Sequence, residues 1–380
     1  MRIKAADIFL ILLSVLITVL ALELVLRAFP DTDILTRYDP LLGWSLIPNA
    51  TGHNRTPEYN TVEHINSKGF RGPELAYEKA AGTRRVLVLG DSFTEGYAVN
   101  NDELFTTRLA AILKGSRAVS TDVINMGVAG YSTDQELLTF DSQGKRYAPD
   151  VTILMFYYND VWYNNQGSFW RGCKPRFERS GEKLAMVPVN DAVCRAGSGH
   201  GIKAWLQSHS RLMGLIRDCV ERNDLLTRCL TALHLKKVPA EFAPWRKTST
   251  LEVEEAWQIT GRLLAELKNR VESSGSKFMV FYIPSSLEID AGIYQATMRR
   301  YGFNEEQWDP RQIPRRLSSL CAAEGIILVD PTAEFQQSGK LLYYAHDGHW
   351  NSQGNALAAR LLADALTASR TRSTGFLWKS

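Results

Sequence analysis

The stretch RRVLVLGDSFTEG, residues 84–96, holds an unbroken apolar run from Val86 to Leu89 that stops at Gly90 and passes directly into Asp91 and Ser92. A short apolar run ended by glycine reads as a strand buried on both faces, leaving the sheet at its carboxyl edge. The same pattern returns at TDVINMG (121–127), DVTILMFYYND (150–160), KFMVFYIP (277–284) and GIILVD (325–330). Helical segments separate these runs, at NDELFTTRLAAILKG, STDQELLTFDSQGKR and, after the last, WNSQGNALAARLLADAL. Strands alternating with helices imply right-handed crossovers and a parallel sheet covered on both faces. The expectation is therefore an α/β fold, a three-layer α/β/α sandwich, over 84–370.

Outside this region the chain changes character. Residues 1–30 carry Arg2 and Lys4 ahead of an apolar run, uncharged from Ile8 to Leu22 and continuing to Leu26, about the length of a membrane-spanning helix. No small-x-small cleavage site follows, so the reading is an uncleaved anchor with its N-terminus cytoplasmic and the rest extracytoplasmic, which is periplasmic in a Gram-negative cell; a cleaved signal and a buried soluble helix are the alternatives. Glu23 is costly in hydrocarbon and belongs near the outer end, at the headgroups. Residues 31–83, rich in Pro, Gly, Asn and Thr, read as an extended segment that packs on the core through Leu41, Leu42, Trp44 and Phe70. Residues 161–245 are too long for a simple crossover and read as an inserted subdomain or lid over the carboxyl ends of the strands.

Composition narrows the function. The 380 residues are 45% apolar and 22% charged with a net charge of +3, so disorder is excluded and no broad positive field exists for nucleic acid. The five cysteines lack the close spacing of a zinc or redox site. Position along the chain favours two bridges, Cys173 with Cys194 and Cys219 with Cys229, leaving Cys321 as an inert thiol in an apolar setting. His53, His64, His200, His209 and His234 are scattered without ligand partners, so neither a metal nor an organic cofactor is expected.

Ser92 falls at a strand-to-helix turn, where a nucleophile gains from backbone N–H donors and the positive end of a helix. The alternative is that Asp91 and Ser92 simply cap a helix. Four blocks, in order, resemble the SGNH (GDSL-type) hydrolase family: Gly90-Asp91-Ser92, INMGVAGYST with the family glycine at Gly130, FYYND with the asparagine at Asn159, and HDGHWN with Asp347 and His349. The resemblance covers about 84–369 apart from the insertion. It implies a flavodoxin-like sandwich and a triad of Ser92, His349 and Asp347. It also implies an oxyanion hole formed by the Ser92 and Gly130 backbone N–H groups and the Asn159 amide.

Two positions depart from the pattern. Asp347 stands two residues before His349 rather than three, a spacing that resembles the branch containing alginate O-acetyltransferases, and His346 is the competing base. Tyr157 replaces the glycine usual two positions before the asparagine. Asp91 reads as a turn and cap residue. Asp91, Tyr158, Trp162 and Trp350 are candidate substrate contacts. The aromatic stretch Tyr157, Tyr158, Trp162, Tyr163, Phe169 and Trp170, interleaved with amides, reads either as core or as a cleft lining that stacks on sugar rings.

The expected function is a membrane-anchored extracytoplasmic serine esterase that removes O-acyl groups, acetyl foremost, from a carbohydrate or envelope glycan. An O-acyltransferase using the same triad, a lipase or thioesterase, and a noncatalytic glycan-binding or assembly protein on the same scaffold are the other readings.

Overall fold

Alternate side chains of strand β5 (Arg84–Gly90) part company. Val86 and Val88 join one buried cluster, while Leu87 and Leu89 join another. The period of two puts one set on each face of the sheet, which requires covering on both sides. The computed structural model describes residues 5–29, 32–116, 120–181, 183–189 and 210–367.

Before β5 come helix α1 (Ala5–Arg27) and strands β1 (Thr36–Asp39), β2 (Gly43–Leu46), β3 (Thr51–Arg55) and β4 (Asn60–His64). After it come α2 (Ser92–Glu95), α3 (Phe105–Ser116), β6 (Thr121–Gly127), α4 (Thr133–Ser142), β7 (Val151–Phe156) and α5 (Asp160–Tyr163). The next stretch holds short strands β8 (Ser168–Phe169), β9 (Gly172–Cys173), β10 (Arg176–Ser180) and β11 (Lys183–Val187), then α6 (Arg211–Arg222) and α7 (Asp224–Ala232). The chain closes with α8 (Leu251–Ser273), β12 (Lys277–Tyr282), α9 (Ser286–Ile289), α10 (Ala291–Tyr301), α11 (Gln312–Ala323), β13 (Ile327–Val329), α12 (Thr332–Gln337) and α13 (Ser352–Thr367).

The central sheet is parallel with strand order β13-β12-β7-β5-β6. Its register sets Val86 beside both Val123 and Val151, and Phe281 beside Met155. On one face α3, α12 and α13 supply Phe105, Leu109, Phe335, Leu362 and Leu366. On the other, α4, α8 and α11 supply Leu137, Phe140, Trp257, Leu263 and Leu317. This is the three-layer sandwich expected from the alternation of strands and helices.

Residues 31–83 are more regular than their composition implied, since β1 pairs with β2 and β3 with β4 as antiparallel hairpins. Leu42, Trp44 and Phe70 are buried in the core, whereas Leu41 is exposed and is not an anchor. Charge is buried here as well. Arg71 lies inside the protein, with its guanidinium donating to the carbonyls of Gly96 and Val99 and to Asn101 Oδ1.

Helix α1 is exposed except at Glu23 and Leu26, which are partly covered, and is long and apolar enough to cross a membrane. Within 161–245, Val161, Phe177 and Trp245 reach the main core, and Lys174 makes a fully buried ion pair with Asp134 at 2.6 Å. The cysteine expectation needs correction. Cys219 and Cys229 are free and exposed, because the chain breaks at Asn223 between α6 and α7 and each thiol faces solvent on its own helix. Cys173 is disulfide-bonded, and Cys194, its expected partner, lies outside the described residues. Cys321 is buried, and burial pushes its thiol up to about 12.

Candidate active site

The turn after β5 is built for close approach. Asp91 Oδ1 accepts from the Phe93 N–H at 2.9 Å, which caps α2 and leaves Ser92 as its first residue. Gly96 ends α2 with φ 72°, and a Cβ there would come within 2.2 Å of Leu104, so only glycine turns the chain at this point. Gly90 is equally constrained, since a Cβ would meet Thr94 Oγ1 at 2.1 Å. Asp91 is buried, and burial pushes its carboxyl up to about 6. It caps, as its position implied.

Ser92 Oγ lies 2.7 Å from His349 Nε2, and His349 Nδ1 lies 2.6 Å from Asp347 Oδ1. The contact with Asp347 fixes the proton on Nδ1, which leaves Nε2 to accept the Ser92 proton. Burial opposes the imidazolium, but the Asp347 carboxylate outweighs it and holds His349 above its ordinary 6.5. Burial likewise opposes the Asp347 carboxylate, yet His349 and the Tyr59 hydroxyl bring it down to about 2. The three residues proposed from sequence are thus brought together. His346 is exposed, and its backbone N–H donates to Glu58, so its ring takes no part in this chain of contacts.

Strands β6 and β7 flank β5 in the sheet, so the loops that carry Gly130 and Asn159 leave the sheet on either side of Ser92. Glu95 ties the first of these loops to the Ser92 turn, its Oε2 accepting from the Ala129 N–H at 2.6 Å. Gly130 has φ 78°, and a Cβ would come within 3.1 Å of Trp170 and 3.2 Å of Trp44. Asn159 begins α5 without a side-chain capping bond, and its Oδ1 is buried without a hydrogen-bond partner among the described residues. A side chain that caps nothing and stays polar inside the protein is available for another purpose.

The candidate substrate contacts divide. Trp350 is corrected to a core residue, buried edge-on against Phe93 and Phe105. Tyr158 stacks on Phe242 and meets Trp245 edge-on, and Trp162 packs against the same core. Of the aromatic stretch, Trp170 stays open to solvent, 51% exposed, beside Gly130. It borders a cavity of about 200 Å³ shared with Tyr59, Tyr97, Ala129 and Arg171.

Sequence reasoning missed three residues around the triad. Tyr59 Oη donates to Asp347 Oδ2 at 2.8 Å, Tyr97 Oη lies 3.0 Å from His349 Nδ1, and Glu58 accepts from the Asp347 N–H at 2.9 Å. Only Tyr97 had a local signal, five residues beyond Ser92. Tyr59 and Glu58 come from a segment almost 290 residues away.

The profile of the GDSL-like lipase/acylhydrolase family matches residues 88–357. The chain belongs to this family. As a GDSL-like acylhydrolase it carries all four motif blocks within the matched span. Solved structures similar to it include an acetyl xylan esterase, 13% identical with TM-score 0.39 over 74% of this chain and 98% of that one. A lipase/acylhydrolase from Enterococcus faecalis is 12% identical with TM-score 0.37 over 75% and 96%. A catalytic mutant of an acetylxylan esterase from Geobacillus stearothermophilus is 12% identical with TM-score 0.39 over 73% and 92%. No curated protein sequence matches the chain.

Proposed function

We propose that the protein is a membrane-anchored extracytoplasmic serine esterase that removes O-acyl groups, acetyl foremost, from a carbohydrate or envelope glycan. The observation that carries this reading is the continuous line from Ser92 Oγ through His349 to Asp347, with contacts of 2.7 and 2.6 Å. His349 takes the Ser92 proton as Oγ attacks the ester carbonyl, and Asp347 stabilises the imidazolium that forms. The backbone N–H groups of Ser92 and Gly130 and the Asn159 amide receive the oxyanion. The imidazolium then protonates the departing alkoxide, leaving an acyl-Ser92 that water cleaves with His349 again as base. Trp170, half exposed beside Gly130 with the Arg171 guanidinium 3.9 Å from the centre of its ring, sets an aromatic and a cation at the rim of the site, which favours a polar glycan over an acyl chain as the larger part of the substrate. Helix α1 holds the domain at the outer face of the membrane.

The spacing of Asp347 and His349 favours a second reading, an O-acyltransferase in which a sugar hydroxyl replaces water. Mass spectrometry after mixing with an activated acetyl ester separates the two. An adduct on Ser92 that clears in buffer identifies the esterase; one that persists until an unacylated glycan is added identifies the transferase. Failure of any adduct to form on the wild type, with Ser92→Ala hydrolysing the ester equally well, removes both.

A further inference from the structure

Helix α6 divides by sequence into two faces. Leu212, Met213, Leu215, Ile216, Cys219 and Val220 fall on one arc, while Arg217, Asp218, Glu221 and Arg222 fall on the other. In a soluble domain the apolar arc would turn inward, yet no residue of α6 is buried, and Met213, Leu215 and Ile216 are each at least 40% exposed. Helix α7 continues the pattern. Its Thr227 turns into the protein, while Leu225 stands 72% exposed, followed by Leu233 and Leu235 in the turn beyond.

The position of this helix pair is set by α1. Glu23, in the last turn of the spanning helix, accepts from Ser210 Oγ at 2.9 Å and from the N–H groups of Arg211 and Leu212 at 3.1 Å. Arg211 in turn donates to the carbonyls of Leu26 and Phe29, closing the end of α1. The carboxylate that is costly in hydrocarbon is thus spent on the first turn of α6, which brings α6 to the depth where α1 leaves the membrane. Residues 210–238 hold six Lys or Arg against three Asp or Glu. Such a segment is drawn to anionic lipid.

We propose that α6 and α7 lie in the surface of the membrane that α1 crosses, with their apolar arcs among the lipid headgroups and acyl chains of an anionic leaflet. The inference rests on the reading of α1 as an anchor. Its consequence concerns the site. Asp218, Glu221 and Arg222, on the polar side of α6, line a cavity of about 400 Å³ together with Glu58, His346 and Asp347. The helix pair therefore holds one flank of the triad within reach of the lipid surface.

The exposed thiols Cys219 and Cys229 report on the test directly. The full chain, carrying an environment-sensitive fluorophore on one of them with the other replaced by Ser, is reconstituted into phosphatidylcholine vesicles containing phosphatidylglycerol. A brominated lipid serves as quencher. Both labels should be quenched at least about five-fold more than a label at Glu324→Cys, at the opposite end of the sheet. Ile216→Asp with Leu225→Asp should reduce that quenching to the Glu324 level while hydrolysis of a soluble ester is unchanged. A label at Leu16→Cys separates the possible failures. If Leu16 is quenched and the two thiols are not, α1 is an anchor and the surface placement is wrong; if Leu16 is not quenched, the anchor fails and the inference with it. Labels shielded from aqueous iodide but untouched by brominated lipid would mean that protein, not lipid, covers the arc, which also overturns the proposal.

Discussion

Tyr59 Oη donates a 2.8 Å hydrogen bond to Asp347 Oδ2, the oxygen that His349 Nδ1 leaves unused. Tyr59 ends the loop between the β3 and β4 strands, so a hairpin that precedes the sandwich in the chain sets the orientation of the carboxylate behind the proposed base. Tyr59→Phe removes the donor and keeps the ring packed on Tyr344. Turnover of a small acetyl ester should fall by roughly 10- to 150-fold, the worth of one hydrogen bond to a charged group. Apparent substrate affinity should change little. A fall in thermal stability with unchanged turnover would make Tyr59 structural only.

The pH dependence follows from the base. As the proposed base His349 would act when neutral, and Asp347 holds its pKa above 6.5 against the opposing effect of burial. The rate, kcat/KM, should therefore rise with pH through an inflection above 6.5. Asp347→Asn removes the charge that raises it, so the inflection should move to lower pH, and the plateau should drop by roughly two to four orders of magnitude. His346→Ala should leave both inflection and plateau within a factor of about two, since the ring contacts none of these groups. An inflection that follows His346 instead would reassign the base.

Buried charge gives a prediction about stability rather than rate. Lys174 Nζ donates to both oxygens of Asp134 and to the Tyr163 carbonyl, with both side chains fully buried. Lys174→Met leaves the carboxylate inside without its counter-charge and should destabilise the fold by roughly 3–5 kcal/mol. Lys174→Met combined with Asp134→Leu should recover much of the loss. Chemical denaturation midpoints measure both together with Asp134→Leu alone, and a loss in the double variant equal to the sum of the two single losses would show that the pair is not coupled.

What was legible in the chain, and what was not, divides along these same residues. The β5 run and the Ser92 turn could be read because a strand buried on both faces is apolar without interruption and glycine marks where it ends. Asp347 and His349 could be read because they sit together in one short block. Tyr59 and Glu58 could not, because their partners lie almost 290 residues away and a lone Tyr or Glu in a loop has no periodicity. Arg71 and Lys174 were invisible for the opposite reason: a cation reads as surface, and only the folded chain shows which carbonyls and carboxylates enclose it. Trp350 was misread because a tryptophan beside the base resembles a substrate contact, whereas Phe93, Phe105 and Phe335 close around it. The hairpins of 31–83 were missed because strands of four or five residues, half exposed, carry too little alternation to show.

Asn159 offers the sharpest test of the oxyanion hole. It stands at the carboxyl end of β7, beside β5, and its side chain makes no capping bond although the backbone around it begins a helix. Its Oδ1 is buried without a hydrogen-bond partner among the described residues. If its amide donates to the developing oxyanion, Asn159→Ala should lower kcat by roughly a hundred-fold or more and barely change KM, because the interaction strengthens mainly in the transition state. Were its role structural, the loss would appear in thermal stability, and the folded fraction would turn over normally. Asn159→Asp sharpens the comparison, since a carboxylate of nearly the same volume accepts but cannot donate and repels the oxyanion. The Asp variant should therefore be at least as slow as the Ala variant while circular dichroism shows it folded. A folded Asn159→Asp protein with near-wild-type turnover would end the proposed role.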